Sequence, residues 1–181
     1  GGLVLARANP AIEKKLNAAV FPGLQGGPLM HVIAAKAVAF KEALDPAFKN
    51  YQQQILDNAR FFAAGLMKKG FKIISGGTDN HLFLVDLSEQ SITGQQAETL
   101  LEQANITLNK NTIPNDPLGP VVTSGLRIGT PAITTRGFKE PEVQCLVDGI
   151  AAILSNPSDN TVIQRIRTEV LDLCRRFPVY A

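Results

Sequence analysis

Phe71-Lys72-Ile73-Ile74-Ser75-Gly76-Gly77-Thr78-Asp79-Asn80-His81-Leu82-Phe83-Leu84-Val85 is the stretch on which the fold turns. Residues 71–74 and 82–85 are short, rich in branched and aromatic side chains, and separated by turn-forming residues, so they read as two strands. Upstream the pattern is helical: a helix predicted from about Ala47 to Lys69 stops at Gly70, with Lys68 and Lys69 favourably placed near its carbonyl end. Downstream, Thr93 with Gln96 three positions on matches a capping box and opens another helix. Ile106-Thr107-Leu108 and Leu126-Arg127-Ile128 read as further short strands. The loop between them, Asn109 to Gly125, is long enough to suggest a functional reason for keeping it. Two amphipathic helices close the chain, one lined by Val143, Leu146, Val147, Ile150 and Leu154. The other is lined by Ile163, Ile166, Val170, Leu173 and Phe177, and both stripes read as core faces. Strands interleaved with helices put the chain in the α/β class, with residues 47–181 as a small α+β domain.

Residues 1–46 form a separate part. Leu3-Val4-Leu5-Ala6 reads as the end of a buried strand. Pro10 suits a first helical turn, and Ala11 to Val20 follow as helix. Phe21-Pro22-Gly23-Leu24-Gln25-Gly26-Gly27-Pro28 holds three glycines and two prolines and reads as loop. From Leu29 to Leu44 the apolar residues Leu29, Ile33, Ala37, Phe40 and Leu44 step along one helix face, until Asp45-Pro46 interrupts the pattern. One strand and two helices are too little for a complete domain. The first residues, Gly1-Gly2, include no initiator methionine, so the expectation is a chain cut from a larger protein. Leu3-Val4-Leu5 and the helix 29–44 should then expose apolar surface.

Composition narrows the function. The 181 residues are 45% apolar and 19% charged, with 18 Lys and Arg against 16 Asp and Glu, a net charge of +2. That balance offers no electrostatic footprint for nucleic acid or an anionic membrane. Two cysteines and two histidines are too few for a structural zinc site or a disulfide framework, and Cys145 and Cys174 read as reduced, core-facing thiols. No apolar run reaches the length of a membrane span, and the start of the chain lacks the pattern of a secretory signal. The expected location is the cytoplasm.

Few residues suggest chemistry. Gln25-Gly26-Gly27-Pro28 precedes a helix, where backbone N–H groups can hold a phosphate, although paired glycines also make ordinary tight turns. His31, in the first turn of that helix, reads as a capping or packing histidine, and the sequence names no catalytic partner for it. Arg127 sits on a short strand between Gly125 and Gly129, well presented to grip a carboxylate bidentately; the alternative is a structural ion pair. Arg136 is a second candidate with the same alternative. Asn109-Lys110-Asn111 offers amides and a cation beside the long loop, as a heterocycle site or a solvated turn. The residues alone therefore support, at most, a site for a ligand carrying carboxylate and phosphate groups.

Four motifs carry a resemblance. Ala19-Val20-Phe21-Pro22-Gly23-Leu24-Gln25-Gly26-Gly27-Pro28-Leu29-Met30-His31 closely resembles a signature of serine hydroxymethyltransferases. So do Ser75-Gly76-Gly77-Thr78-Asp79-Asn80-His81-Leu82, Asn109-Lys110-Asn111-Thr112-Ile113-Pro114-Asn115-Asp116-Pro117 and Thr123-Ser124-Gly125-Leu126-Arg127-Ile128-Gly129-Thr130-Pro131-Ala132. The closing Phe177-Pro178-Val179-Tyr180 resembles bacterial members. The resemblance spans essentially the whole chain. It implies the carboxyl-terminal part of a pyridoxal-phosphate enzyme of the aspartate-aminotransferase fold type, with residues 1–46 as a remnant of the large cofactor-binding domain. Such an enzyme interconverts serine plus tetrahydrofolate with glycine plus methylenetetrahydrofolate, as a homodimer. By the same resemblance, Arg127 clamps the amino-acid carboxylate, and Gly26 and Gly27 offer N–H groups to the cofactor phosphate across the dimer interface. Asn111 and the loop Gly119-Pro120-Val121 contact folate, with Val121 standing where members often carry an aromatic residue. Asn80-His81 is structural near the hairpin, and Arg136 and His31 play supporting parts.

One departure matters more than any substitution. The family's Schiff-base lysine stands in a His-Lys-Thr context followed by a Gly-Pro-Arg-Gly-Gly run, and no lysine of this sequence has that setting. The resemblance therefore implies that these 181 residues alone are inactive. Two other readings remain at this point: a non-catalytic interaction domain that keeps the small-domain fold, and part of an enzyme like threonine aldolase. The folate motifs at Asn111 and Gly119 speak against the latter.

Overall fold

In the computed structural model, residues 1–179 are described; Tyr180, the last residue of the closing motif, lies outside them. The chain divides into two units, residues 1–49 and 50–181, with the division inside one long helix.

The first unit begins without regular structure. The strand expected at 3–6 is absent: these residues are exposed, and no ladder partner gives an extended segment a reason to persist. Helix α1 (Pro10–Ala18) follows, with Pro10 in its first turn and Asn9 capping it by accepting from the Ala11 and Ile12 N–H groups. Residues 19–24 form a tight turn that contains a cis Phe21–Pro22 bond and closes with Gln25 N–H on Val20 O at 2.8 Å. Helix α2 (Met30–Ala43) occupies the span its apolar spacing predicts. Its row Leu29, Ile33, Ala37, Phe40 and Leu44 is exposed throughout. The Lys36 Nζ donates to Gly2 O at 3.0 Å, holding the start of the chain along α2.

Helix α3 (Pro46–Lys68) leads into the second unit and ends where glycine permits it: Gly70 adopts φ +88°, and Phe71 N–H reaches back to Leu66 O. Then come β1 (Lys72–Ile73), β2 (Leu82–Asp86), α4 (Gly94–Gln103), β3 (Asn109–Asn111), α5 (Gly119–Val122), β4 (Gly125–Gly129), α6 (Pro131–Thr135), α7 (Glu140–Ser155) and α8 (Asn160–Arg176). The capping box on α4 forms as its sequence demands. Gln96 N–H donates to Thr93 Oγ1 at 3.2 Å and Thr93 N–H to Gln96 Oε1 at 3.0 Å.

The four strands make one antiparallel sheet in the order β1-β2-β4-β3. Side chains alternate across it. Ile73, Phe83, Val85, Leu126 and Ile128 are buried in one core with α3, α4, α7 and α8. Leu84 pairs with Arg127 and Leu82 with Gly129, and these residues lie on the other, more open face. Both closing stripes are core as expected, from Val143 to Leu154 and from Ile163 to Leu173.

Three further expectations need correction. The third strand is Asn109–Asn111 rather than Ile106–Leu108, because pairing with β4 sets the ladder while Ile106 and Leu108 pack against the core from outside it. The long loop is partly structured, holding β3 and α5. Cys145 is exposed, since it sits on the side of α7 opposite Val143 and Val147; Cys174 is half-buried.

Candidate functional site

Arg127 is the middle residue of β4, held on one side by β2 opposite Leu84 and on the other by β3 opposite Asn109. Its two neighbouring glycines serve different ends. A Cβ on Gly125 would stand 2.6 Å from the Ile113 side chain and 2.8 Å from Val85 O, so packing requires glycine there. A Cβ on Gly129 would meet nothing closer than 3.5 Å, so this glycine leaves room beside the arginine. The Arg127 Nη2 donates to Asn109 Oδ1 at 3.0 Å, a cross-strand pair that orients the guanidinium. Among the described residues no ion pair involves Arg127, so the alternative of a structural salt bridge does not apply to them. The arginine borders a cavity of about 500 Å³ together with His81, Asn109, Gly129, Ile106 and Ile133. An exposed guanidinium over such a lining suits a small molecule with one carboxylate and a short body.

The end of β4 is fixed to α3 by hydroxyls. Thr130 Oγ1 donates to Ile55 O at 2.8 Å, and Thr130 N–H donates to His81 O at 3.0 Å. Tyr51 Oη lies 2.8 Å from Thr135 Oγ1. Buried Asn58 donates from Nδ2 to Thr134 Oγ1 and Phe138 O, both at 2.9 Å, and accepts from Gln54 Nε2. These groups make α3 the wall against which β4 and α6 are set.

The Asn109-Lys110-Asn111 cluster divides across the strand. Lys110 turns to α4, where its N–H and Nζ bind the Glu98 carboxylate at 2.9 and 3.2 Å. That pairing, led by the backbone N–H, holds the Glu98 carboxyl below its ordinary value. The cation is therefore turned away from Arg127, and only Asn109 and Asn111 share the face of β3 beside it. Asn111 Nδ2 donates to Thr112 O at 2.7 Å.

After β3 the chain is gathered by a residue to which the sequence reading gave no role. Asp116 accepts from Ile113 N–H (3.1 Å), Leu118 N–H (2.9 Å), Ser124 N–H (2.8 Å) and Ser124 Oγ (2.7 Å). Desolvation raises its carboxyl, but the Leu118, Ser124 and Ile113 hydrogen bonds outweigh it and bring it to about 2. The Asp116-Pro117 dipeptide, a frequent turn opener, was the available signal. Between these anchors lie Gly119, at φ +68°, Pro120 and Val121, whose side chain is 71% exposed.

Arg136 lies after α6 and donates from Nη1 to Phe177 O at 2.9 Å, joining the end of α8. In the first unit, Gly26 and Gly27 have no atom within 4 Å of where a Cβ would stand. They lead to α2, whose first residue is preceded by Leu29 with no side-chain cap, and His31 is exposed in its first turn. Among the described residues no group of three His, Cys, Asp or Glu could hold a metal, and no helix is long and apolar enough to cross a membrane.

Comparison with known proteins bears on the same residues. The serine hydroxymethyltransferase family model matches residues 6–150. A serine hydroxymethyltransferase of Halorhodospira halophila is 61% identical over 180 residues, covering 99% of this chain and 43% of that protein. One from Legionella pneumophila (strain Lens) is 64% identical over 181 residues, again covering 43% of its length. That of Methylococcus capsulatus is 59% identical over all 181 residues. The chain thus spans 43% of the length of these relatives. With the match running from residue 6 through Gly26, Gly27, β4 and Arg127 into α7, the chain belongs to the serine hydroxymethyltransferase family.

Proposed function

We propose that the chain supplies the carboxylate grip and the folate loop of an enzyme that interconverts serine plus tetrahydrofolate with glycine plus methylenetetrahydrofolate. The carrying observation is Arg127: an exposed guanidinium, oriented by Asn109, beside the room left by Gly129 and over a cavity of small-molecule size. Serine and glycine share a carboxylate and differ in one short substituent, so a bidentate arginine holds either one at the same place. Asn111 and the Gly119-Pro120-Val121 segment extend from the same sheet edge and form the folate contact in this reading.

The donor set of the first unit fits pyridoxal phosphate. Open backbone at Gly26 and Gly27, ahead of a helix without a side-chain cap, suits a phosphate oxygen. The cofactor, when bound, supplies the electron sink for bond changes at the amino acid's α-carbon. In this reading His31, exposed in the first turn of α2, and Arg136, which holds Phe177 O, play supporting parts. A four-stranded antiparallel sheet with helices on one face is consistent with the small domain of the aspartate-aminotransferase fold type. The assembly in this reading is a homodimer.

No lysine here has the His-Lys-Thr setting, so these 181 residues alone should hold no pyridoxal phosphate covalently and turn over no serine. Purified and mixed with the cofactor, they should keep no stoichiometric visible absorbance through dialysis; a retained band counts against this. In the catalytically competent protein, Arg127→Ala removes two charge-assisted hydrogen bonds worth about 3 kcal/mol together, roughly 100-fold in kcat/KM for serine. Arg127→Lys should recover only part, because an ammonium cannot reproduce the planar fork. Unchanged serine kinetics in Arg127→Ala would sink the reading.

A further inference from the structure

Asp116 stands at the neck of the segment that carries Gly119, Pro120 and Val121. Its Oδ1 accepts from Leu118 N–H and Ser124 Oγ, and its Oδ2 from Ile113 N–H and Ser124 N–H. One carboxylate thus binds the residue before the segment, a residue within it, and the residue after it. Up to Val122 the segment has little else to hold its shape, whereas Thr123 is buried. Val121 and Leu118 are exposed, and three of its turns rest on left-handed residues, Asn115, Gly119 and Thr123. The other anchors are at its end: the buried Thr123, whose Oγ1 donates to Gly125 O at 3.4 Å, Thr123 N–H on Gly119 O at 3.0 Å and Gly94 N–H on Thr123 O at 2.9 Å. Gly94 allows that approach because a Cβ there would collide with Thr123 and with Gly125 O.

β4 stands differently. Arg127 lies in a ladder with partners on both sides, from Gly125 to Gly129 along β2 and from Asn109 to Asn111 along β3. Loosening the Asp116 knot therefore frees residues 117–122 while leaving buried Thr123 and the strand in place.

We infer that Asp116 is a positioning residue for the folate site: its carboxylate sets the conformation in which residues 119–121 meet the pteridine-bearing substrate, without touching that substrate itself. This rests on the proposed folate contact at Gly119–Val121. Asparagine in its place has one acceptor oxygen for four donors, and its amide N–H group would face either the Leu118 N–H or the Ile113 and Ser124 N–H groups, so at least one of the four bonds is lost even where the Ser124 hydroxyl turns to accept.

The test is steady-state kinetics of the catalytically competent protein, with serine and tetrahydrofolate varied separately, on three variants. Asp116→Asn should raise the KM for tetrahydrofolate roughly tenfold or more, since small misplacements of a binding group are costly. The KM for serine should stay within about twofold, because the β4 ladder is intact. Ser124→Ala, which removes only the hydroxyl bond, should give a smaller rise in the same direction, and it decides the matter if Asp116→Asn does not fold. Val121→Asp tests the folate contact directly, at an exposed side chain. If Val121→Asp weakens folate while Asp116→Asn does not, the positioning role is wrong and the contact stands. If neither variant moves the folate KM, the contact is wrong, and the role falls with it. Equal losses for serine and folate in Asp116→Asn mean that the residue supports the whole domain, which also overturns the inference.

Discussion

Asp116, Asp86 and Asp159 each hold a charge that the surrounding backbone requires. Burial pushes the Asp86 carboxyl up, but Ser88 and the Lys72 ammonium at 2.9 Å outweigh it, leaving the group below its ordinary value. The Thr161 hydroxyl, then the Thr161 and Val162 N–H groups, lower Asp159 at the head of α8. Asp116 lies lowest, at about 2. Each is depressed relative to an unfolded carboxyl near 3.9, so each contributes stability that is fully present above that value. The contribution fades as pH falls through the folded value. Urea midpoints should be flat from about pH 6 to 5 and fall below about pH 4. The difference between the parent and Asp116→Asn should shrink between about pH 4 and 2, as the parent's carboxyl takes up its proton. A difference that stays constant over that window would show that the Asp116 charge does not hold the loop.

Among elements, α3 carries the most consequential contact, through a single buried amide. Asn58→Ala leaves Phe138 O and Thr134 Oγ1 without their donor in a place that water does not reach. That should cost about 2–3 kcal/mol, read as a lower urea midpoint at an unchanged slope. An unaltered midpoint would mean that α6 re-forms its hydrogen bonds by itself. No local pattern announces the two bonds that Asn58 donates, since their acceptors lie 76 and 80 residues further along. The helices, by contrast, were legible because their causes are local: the Thr93–Gln96 box, the Gly70 stop and the apolar stripes of α7 and α8. β3 was misplaced by three residues for the same reason inverted, because pairing with β4 outranks the apolar run at 106–108. At the candidate site, the place of Arg127 on a short strand between two glycines could be read from the sequence. The inward turn of Lys110 and the knot at Asp116 could not, as both depend on where Glu98 and Ser124 arrive in space.

For the molecule as a whole, the contrast between units matters most. The second unit buries its apolar residues in one continuous core. In the first, no residue is buried, and Leu5, Leu24 and Leu44 are 84–85% exposed. Apolar surface of that extent seeks cover. The 181-residue chain should therefore show a sedimentation-derived mass that rises with concentration. A monomer mass unchanged over a wide dilution range would count against this.

The alternation along β4 has a further consequence. Positions 126 and 128 bury leucine and isoleucine in the core, whereas 127 and 129 look outward. Under the proposed carboxylate grip, parity separates two kinds of damage: an even-numbered change is paid in melting temperature, an odd-numbered one in affinity. Residue 125 is the exception, an odd position closed by Ile113. Side chains at 127 and 129 can be altered without disturbing the packing one residue away.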